Sequence, residues 1–494
     1  RHRALRTVRK TAKPIHAHQP FFCGVSNSSA LEILDGSGSM RPRVETSAID
    51  TPSVPIRFGS SNLDAHSRAN PKSALVRIAG RRTMAAQPHS GSMEIPALHR
   101  TCGPSIQVDV MKPKVFHVIT KLELGGAQKV TLMTLERLPR DRYDVALISN
   151  PDGLLVDWAN RIPDLTRYWI PSLIREVQPV QDFMALVALW RLFRRERPQV
   201  VHTHSSKAGI LGRWAAWLAG VPNIFHTAHG FGFNDFQRPS VRNLYIWLEK
   251  ITGRISTKLV VVSYANADKG EKNGVFKRGD WILCRDAISV DQFMQRGPGR
   301  TQLAKWGVDD GSGKVIVGMI ACFKPQKSPV DFVDLAAEVL KQTPRVHFVM
   351  AGDGELRPQV EARIRQHGIE ENITLLGWKT ESEMPDLYRN LDIVVLTSLW
   401  EGLPCVFSEA MAGELPIVAT NVDGAREAII HEENGYLHEP HDIQGMAQSV
   451  LKLVESQELR RKMGARGKSR VMEFDIGTSV SNLETAYQEC LKIS

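Results

Sequence analysis

The run Ile393-Val394-Val395-Leu396-Thr397 is followed by Ser398-Leu399-Trp400-Glu401-Gly402-Leu403-Pro404, and then by Cys405-Val406-Phe407-Ser408-Glu409-Ala410-Met411-Ala412. It reads as a buried strand, a tight loop and a short helix. A continuous apolar run rich in β-branched residues suits a strand covered on both faces. Pro404 suits the first turn of a helix. Gly413 and Pro416 close that helix before the next apolar run, Ile417–Thr420. The loop Glu401–Leu403 then presents free backbone N–H groups at a helix N-terminus, where a diphosphate can bind. Glu409, about a turn and a half into the helix, can accept two hydrogen bonds from the vicinal hydroxyls of a ribose. Glu401, in the loop, can reach a sugar.

Working outward, the same strand–helix alternation repeats. Upstream lie Val315–Ile320, Val346–Ala351 and Ile373–Leu376. An earlier series comprises Val115–Ile119, Val145–Ser149, Val200–Thr203, Asn223–Thr227 and Leu259–Ser263, with Leu132, Leu135 and Leu138 at helical spacing after its first strand. Strands alternating with helices predict two α/β halves of parallel sheet, facing across a cleft. The polar, glycine-rich stretch Gln295–Gly313 reads as the linker, so the halves are 111–300 and 301–494. Residues 1–110 show neither helical nor strand period and are expected to be a disordered or non-native extension. A chain starting at Met111 is expected to keep its stability and activity.

The charge follows this division. The 494 residues carry a net charge of +10, but the first 110 hold fifteen Lys and Arg against seven Asp and Glu, a net of +8. The body is nearly neutral, which argues against nucleic acid as a partner. The six cysteines stand singly, at Cys23, Cys102, Cys284, Cys322, Cys405 and Cys490, without zinc or redox spacing. With no apolar run of 18 residues and no signal segment, a cytoplasmic protein is expected.

Four further motifs carry chemistry. Leu124-Gly125-Gly126-Ala127-Gln128 follows the first strand and opens a helix. Its glycines let backbone approach a ligand, but they do not complete a dinucleotide fingerprint. His226-Thr227-Ala228-His229-Gly230-Phe231 ends a strand, where ligands sit in such sheets, and His229 can donate to a sugar hydroxyl or phosphate. His202 and His204 end another strand; no carboxylate or cysteine cluster accompanies them, and no metal is expected. Cys322-Phe323-Lys324-Pro325-Gln326-Lys327 places two cations in a turn, able to neutralise a leaving diphosphate. Ala351-Gly352-Asp353-Gly354-Glu355 is a glycine-rich strand exit.

Together these segments resemble glycosyltransferase family 4, retaining enzymes of the GT-B fold, over about residues 111–480. The resemblance rests on Glu401 with Glu409, the His229-Gly230-Phe231 turn, Gly125-Gly126 and the turn at Lys327. His229–Lys250 looks like bacterial enzymes that build polysaccharide on a polyprenyl carrier. The resemblance implies a nucleotide diphosphate sugar donor, with uridine expected as base, held by the second half. Glu409 would bind ribose, Glu401 the donor sugar and Lys327 the diphosphate. Gly402, Leu403 and Pro404 would line the donor site. His229 would touch the sugar from the opposite domain, and Gly125 and Gly126 would lie near the phosphate or acceptor. It implies no metal and no cofactor, because lysines and helix dipoles serve instead. Cys322 stands where the family usually has Arg, and Lys324 is expected to supply that charge. Asn421-Val422-Asp423-Gly424 lacks a second glycine often found before Gly424.

The implied reaction is front-face substitution with retention. The acceptor would be a lipid-linked glycan, with peripheral membrane contact, and Phe231–Ile251 is expected to face the acceptor or the membrane. There Phe231, Phe233, Phe236, Tyr245 and Trp247 interleave with Arg238, Arg242 and Lys250. The alternatives are a UDP-sugar 2-epimerase of the same architecture, which needs carboxylates across the cleft and no acceptor, and a non-catalytic nucleotide-sugar-binding subunit. A nicotinamide dehydrogenase is disfavoured by the incomplete glycine fingerprint.

Overall fold

A computed structural model describes residues 111–294, 304 and 313–493. The extension read at 1–110 lies outside these residues, as does most of the linker. The first sheet contains β1 (Lys114–Val118), β2 (Asp144–Ser149), β3 (Thr166–Trp169), β4 (Val200–His204), β5 (Asn223–Ala228), β6 (Lys258–Val261) and β7 (Trp281–Leu283). Its order is β3-β2-β1-β4-β5-β6-β7. The second contains β8 (Val315–Ile320), β9 (Val346–Ala351), β10 (Ile373–Gly377), β11 (Ile393–Leu396), β12 (Ile417–Thr420) and β13 (Gly435–His438), in the order β10-β9-β8-β11-β12-β13. Neighbouring strands in both sheets are parallel. These are two Rossmann-like domains, the GT-B architecture expected from the sequence.

The central strands were legible because helices cover both their faces; β11, for example, is buried throughout. Sequence reading missed β3, β7 and β13. All three are sheet edges with partly exposed residues, so they lack a continuous apolar run.

In each sheet the strand order reverses beside the first strand, between β1 and β4 and between β8 and β11. A crevice opens at the carboxyl ends of strands at such a point. The loops after β1, β8 and β11 carry three of the motifs singled out in the sequence, and the His229 turn follows β5.

The last helix, Ile476–Ile493, follows the second domain in sequence but packs against the first. Its Tyr487 ring meets Phe225 of β5 at 5.0 Å, and its Glu484 pairs with Arg142 at 2.6 Å. One continuous apolar core therefore includes Leu132 and Phe225 of the first domain, Leu483 and Tyr487 of this helix, and Phe348 and Val394 of the second domain.

Candidate active site

A cavity of about 320 Å³ lies between the two domains. Gly125, Gly126, Lys129 and His229 line it from the first domain; Lys327, Gly352, Glu401 and Glu409 line it from the second. Leu403 and Pro404 complete the wall, with Pro404 immediately preceding the helix Cys405–Ala412. The predicted loop and helix N-terminus therefore face this space.

The two domains approach each other closely at Gly402. A Cβ on it would sit 1.8 Å from the His229 carbonyl oxygen, so only glycine permits this approach. Glu401 and His229, 172 positions apart in sequence, thus share a wall. The Glu401 carboxylate forms an ion pair with the Lys327 ammonium and accepts from Gln326 Nε2 at 3.4 Å. Its backbone N–H donates to Asp423 Oδ2 at 2.8 Å, which fixes the loop.

Glu409 is buried, and the Tyr388 hydroxyl donates to its Oε2 at 2.6 Å. Burial pushes the Glu409 carboxyl above its ordinary range, while Lys129 pulls against that shift. Lys129 reaches across from the helix Gly126–Arg137 to pair with Glu381 at 2.6 Å. Burial lowers the Lys129 ammonium, but Glu409 and Glu381 outweigh it and leave the group raised, hence charged.

His229 has both ring nitrogens engaged. Nδ1 lies 2.6 Å from Asp286 Oδ1, and Nε2 lies 3.1 Å from Nδ1 of His204. Behind His204 stand His117 and His202, both fully buried.

On the other side of this wall is a second cavity of about 340 Å³. Ala127, His229, Gln326, Glu401 and Gly402 line both spaces. The second runs on to Arg175, Ser205, Ser206, Glu249 and Lys269, with Phe231 and Trp400. Glu249 is held from behind by the buried Arg213, at 2.8 Å.

The structure brings together most of the predicted residues, with exceptions. Lys324 is half-buried in its turn and is not part of the cavity wall, whereas Cys322 and Gln326 are. In the segment Phe231–Ile251, Phe233 is fully buried and is core, whereas Phe231, stacked on it at 4.9 Å, is half-buried and lines the second cavity. Phe236 and Trp247, each 55% exposed, do face outward. Sequence reading missed Lys129, Asp286, Gln326, Tyr388 and Asp423. Lys129 stands one residue beyond the quoted Gly-Gly motif on the helix that motif opens, a signal that was available. Asp286 follows an edge strand and had none.

Two facing Rossmann-like domains, with paired carboxylates and a lysine in the cleft, define a GT-B enzyme. The chain belongs to the GT-B glycosyltransferases of the family 4 type. The family model described as glycosyl transferases group 1 matches residues 304–470, and that of the glycosyl transferase 4-like domain matches residues 125–278. The UDP-Gal:alpha-D-GlcNAc-diphosphoundecaprenol alpha-1,3-galactosyltransferase of Escherichia coli is 30% identical over 393 residues, covering 76% of this chain and 97% of that protein. The capsular polysaccharide biosynthesis glycosyltransferase CapM of Staphylococcus aureus is 23% identical, covering 77% and 98%. The crystal structure of Anabaena Alr3699/HepE in complex with UDP and glucose matches with a TM-score of 0.65 at 17% identity, over 76% of this chain and 100% of that one.

Proposed function

We propose that this glycosyltransferase moves a hexose from a UDP-sugar, with retention, to a sugar hydroxyl on a polyprenyl diphosphate in polysaccharide biosynthesis. The observation that carries this reading is the wall shared by two cavities, with His229 and Glu401 in it. The first cavity takes the donor. Glu409 accepts from the ribose hydroxyls, and Lys327 with the helix N-terminus at Leu403–Cys405 stabilises the departing diphosphate. Gly125 and Gly126 let the backbone close over the phosphates. Glu401 through its carboxylate and His229 through the carbon edge of its ring contact the donor sugar from opposite domains; both His229 nitrogens are bonded within the protein, so the ring is not the donor expected from the sequence. The second cavity takes the acceptor, with Glu249 accepting from its hydroxyls and Arg175 and Lys269 near its diphosphate. The acceptor oxygen attacks the face of the anomeric carbon from which UDP leaves, and the proton passes to the departing diphosphate. Lysine and backbone N–H groups do the electrostatic work here, so the reading needs neither metal nor cofactor. The E. coli relative's UDP-galactose donor and diphosphoundecaprenol-linked acceptor support the two substrate classes.

Peripheral membrane contact belongs to the same proposal. Among the described residues, no helix is long and apolar enough to cross a membrane. Val180, Phe183 and Met184 of the helix Pro179–Glu196, and Leu244 and Trp247 of the helix Pro239–Gly253, are exposed. Arg175, Arg194, Arg195 and Arg238 are exposed as well. Exposed aromatic and aliphatic residues mixed with arginine suit an anionic lipid surface.

The test incubates the purified chain with UDP-hexoses, with and without a short-chain polyprenyl diphosphate sugar. UDP release that depends on the acceptor, with an α-linked product by NMR, is the expected result. A β-linked product would overturn retention. Isomerised donor formed without acceptor would replace transfer by epimerisation.

A further inference from the structure

Six hydrogen bonds join the shared wall to the buried core of the first domain. Asp286 Oδ1 meets His229 Nδ1 at 2.6 Å, and His229 Nε2 meets His204 Nδ1 at 3.1 Å. His204 Nε2 meets His117 Nδ1 at 3.0 Å, and His117 Nε2 meets the Tyr487 hydroxyl at 3.2 Å. That hydroxyl meets His202 Nδ1 at 2.5 Å, and His202 Nε2 meets the Thr227 hydroxyl at 2.7 Å. All eight nitrogens of the four rings are committed. The buried imidazoles form a hydrogen-bonded line, and ring nitrogens of His117, His202 and His204 lie within 4.8 Å of one another.

Proton counting gives the line a direction. Burial holds His202 and His204 well below the ordinary histidine range and His117 down to about 3, so each carries one ring N–H. Burial holds the Tyr487 phenol well above its usual range, so it keeps its hydrogen. A carboxylate only accepts, which places a hydrogen on Nδ1 of His229. With an uncharged His229 ring, its Nε2 accepts from His204 Nδ1–H, and His204 Nε2 accepts from His117 Nδ1–H. His117 Nε2 accepts from Tyr487, whose oxygen accepts from His202 Nδ1–H. Thr227 donates to His202 Nε2 and starts the series. Such a line reverses only as a whole.

We propose that Tyr487, His117 and His204 are positioning residues for His229, holding its ring at one angle in the wall between the two cavities while Asp286 sets its tautomer. This rests on the reading of His229 as a contact to the donor sugar. The backbone of His229 is already fixed by its approach to Gly402, and the line fixes the ring. It also ties the reaction wall to the last helix, because Tyr487 is 370 positions from His117 in sequence. A displacement of about 1 Å at a reacting centre can cost on the order of 10²-fold in rate, so a partly released ring has a measurable consequence.

Tyr487→Phe keeps the ring packed on Phe225 and removes only the hydroxyl. It is expected to fold by circular dichroism, to keep the donor KM within about twofold and to lose on the order of tenfold in kcat. Long-range ¹H–¹⁵N spectra of the side-chain imidazoles should show a single Nδ1–H pattern at His204 in the wild type and a mixture in the variant, with Nδ1–H at His229 kept by Asp286 in both. His204→Asn, which can still donate toward His229, should retain more turnover than His204→Leu. Wild-type kcat and an unchanged His204 signature in Tyr487→Phe would overturn the proposal, as would hydrogen on Nε2 of His229 in the wild type. His229→Ala separates the two readings. Wild-type turnover in that variant would remove the donor-sugar contact and the catalytic consequence with it, while the spectra decide the line itself. Impaired His229→Ala with unimpaired Tyr487→Phe would leave the contact standing and sink the line.

Discussion

The two Rossmann-like domains share one strand order yet put different chemistry at the same topological point. At the reversal in the second sheet, the loops after β8 and β11 carry Lys327, Gln326 and Glu401, with Glu409 in the helix behind. At the reversal in the first sheet stand two glycines and a set of buried, neutral imidazoles. The surfaces differ as well. Of the strongly exposed large apolar residues among those described, only Trp378 and Met472 belong to the second sheet's half, and the rest lie in the first. One architecture can thus enclose an ionic pocket on one side and present an apolar face on the other. Strand order decides where the crevice opens, and side chains decide what it can hold.

The sharpest test of this contrast is acid. His117, His202, His204 and His226, all in the first domain, are held below the ordinary histidine range by burial. The unfolded chain binds protons at these positions below pH 6.5 while the folded chain does not. Their neutrality therefore contributes stability that is present above about pH 6.5 and lost as pH falls. Each should cost roughly 1 kcal/mol between pH 7.5 and 5.5, several kcal/mol together. The second domain has two lowered histidines among the described residues, His347 at about 4 and His438. Urea unfolding at both pH values, followed by hydrogen exchange, should show the first domain losing protection first. An acid-insensitive midpoint, or earlier loss in the second domain, would break the contrast.

The ionic pocket is probed by Glu401→Gln and Glu409→Gln. Glu401 is assigned to the sugar, whose charge changes during transfer, so its loss should lower kcat by on the order of 10²-fold. Glu409 is assigned to ribose, bound equally in ground and transition states. Its loss should mainly raise the donor KM and weaken inhibition by free UDP. Wild-type kinetics in both folded variants would remove the donor site from this cleft.

The smallest effect on stability belongs to the apolar face. Phe236→Ser with Trp247→Ser should change unfolding free energy by no more than about 0.5 kcal/mol per site, since both side chains are exposed. The pair should weaken sedimentation with anionic liposomes, while Trp378→Ser on the other domain should leave it intact. Equal binding by all three proteins would show that this face is not the contact.

How much of this was legible varied with the range of the interactions. The apolar run at Ile393 and the glutamates beyond it were readable because strand, loop and helix lie within twenty residues. Of the four edge strands β10 was readable as Ile373–Leu376, but Thr166–Trp169 and Trp281–Leu283 were not, because they are only partly covered and show no period. Lys324 was expected at the diphosphate because cations in a turn look alike in sequence. The cavity wall includes its neighbours Cys322, Gln326 and Lys327. Phe233 was grouped with the outward aromatics, and packing made it core.

By itself the sequence determined two series of buried parallel strands, the loops at their carboxyl ends and the Glu401–Glu409 element. Each is written in a local pattern of apolar runs, glycines and helix starts. Only the tertiary structure decided that Gly402 backs onto His229, that Lys129 crosses to Glu381, and that Tyr487 on the last helix closes a line of hydrogen bonds to Asp286. Those contacts join residues tens to hundreds of positions apart. They exist because two sheets and one returning helix pack against a common core, and no periodicity along the chain records which buried donor will meet which acceptor.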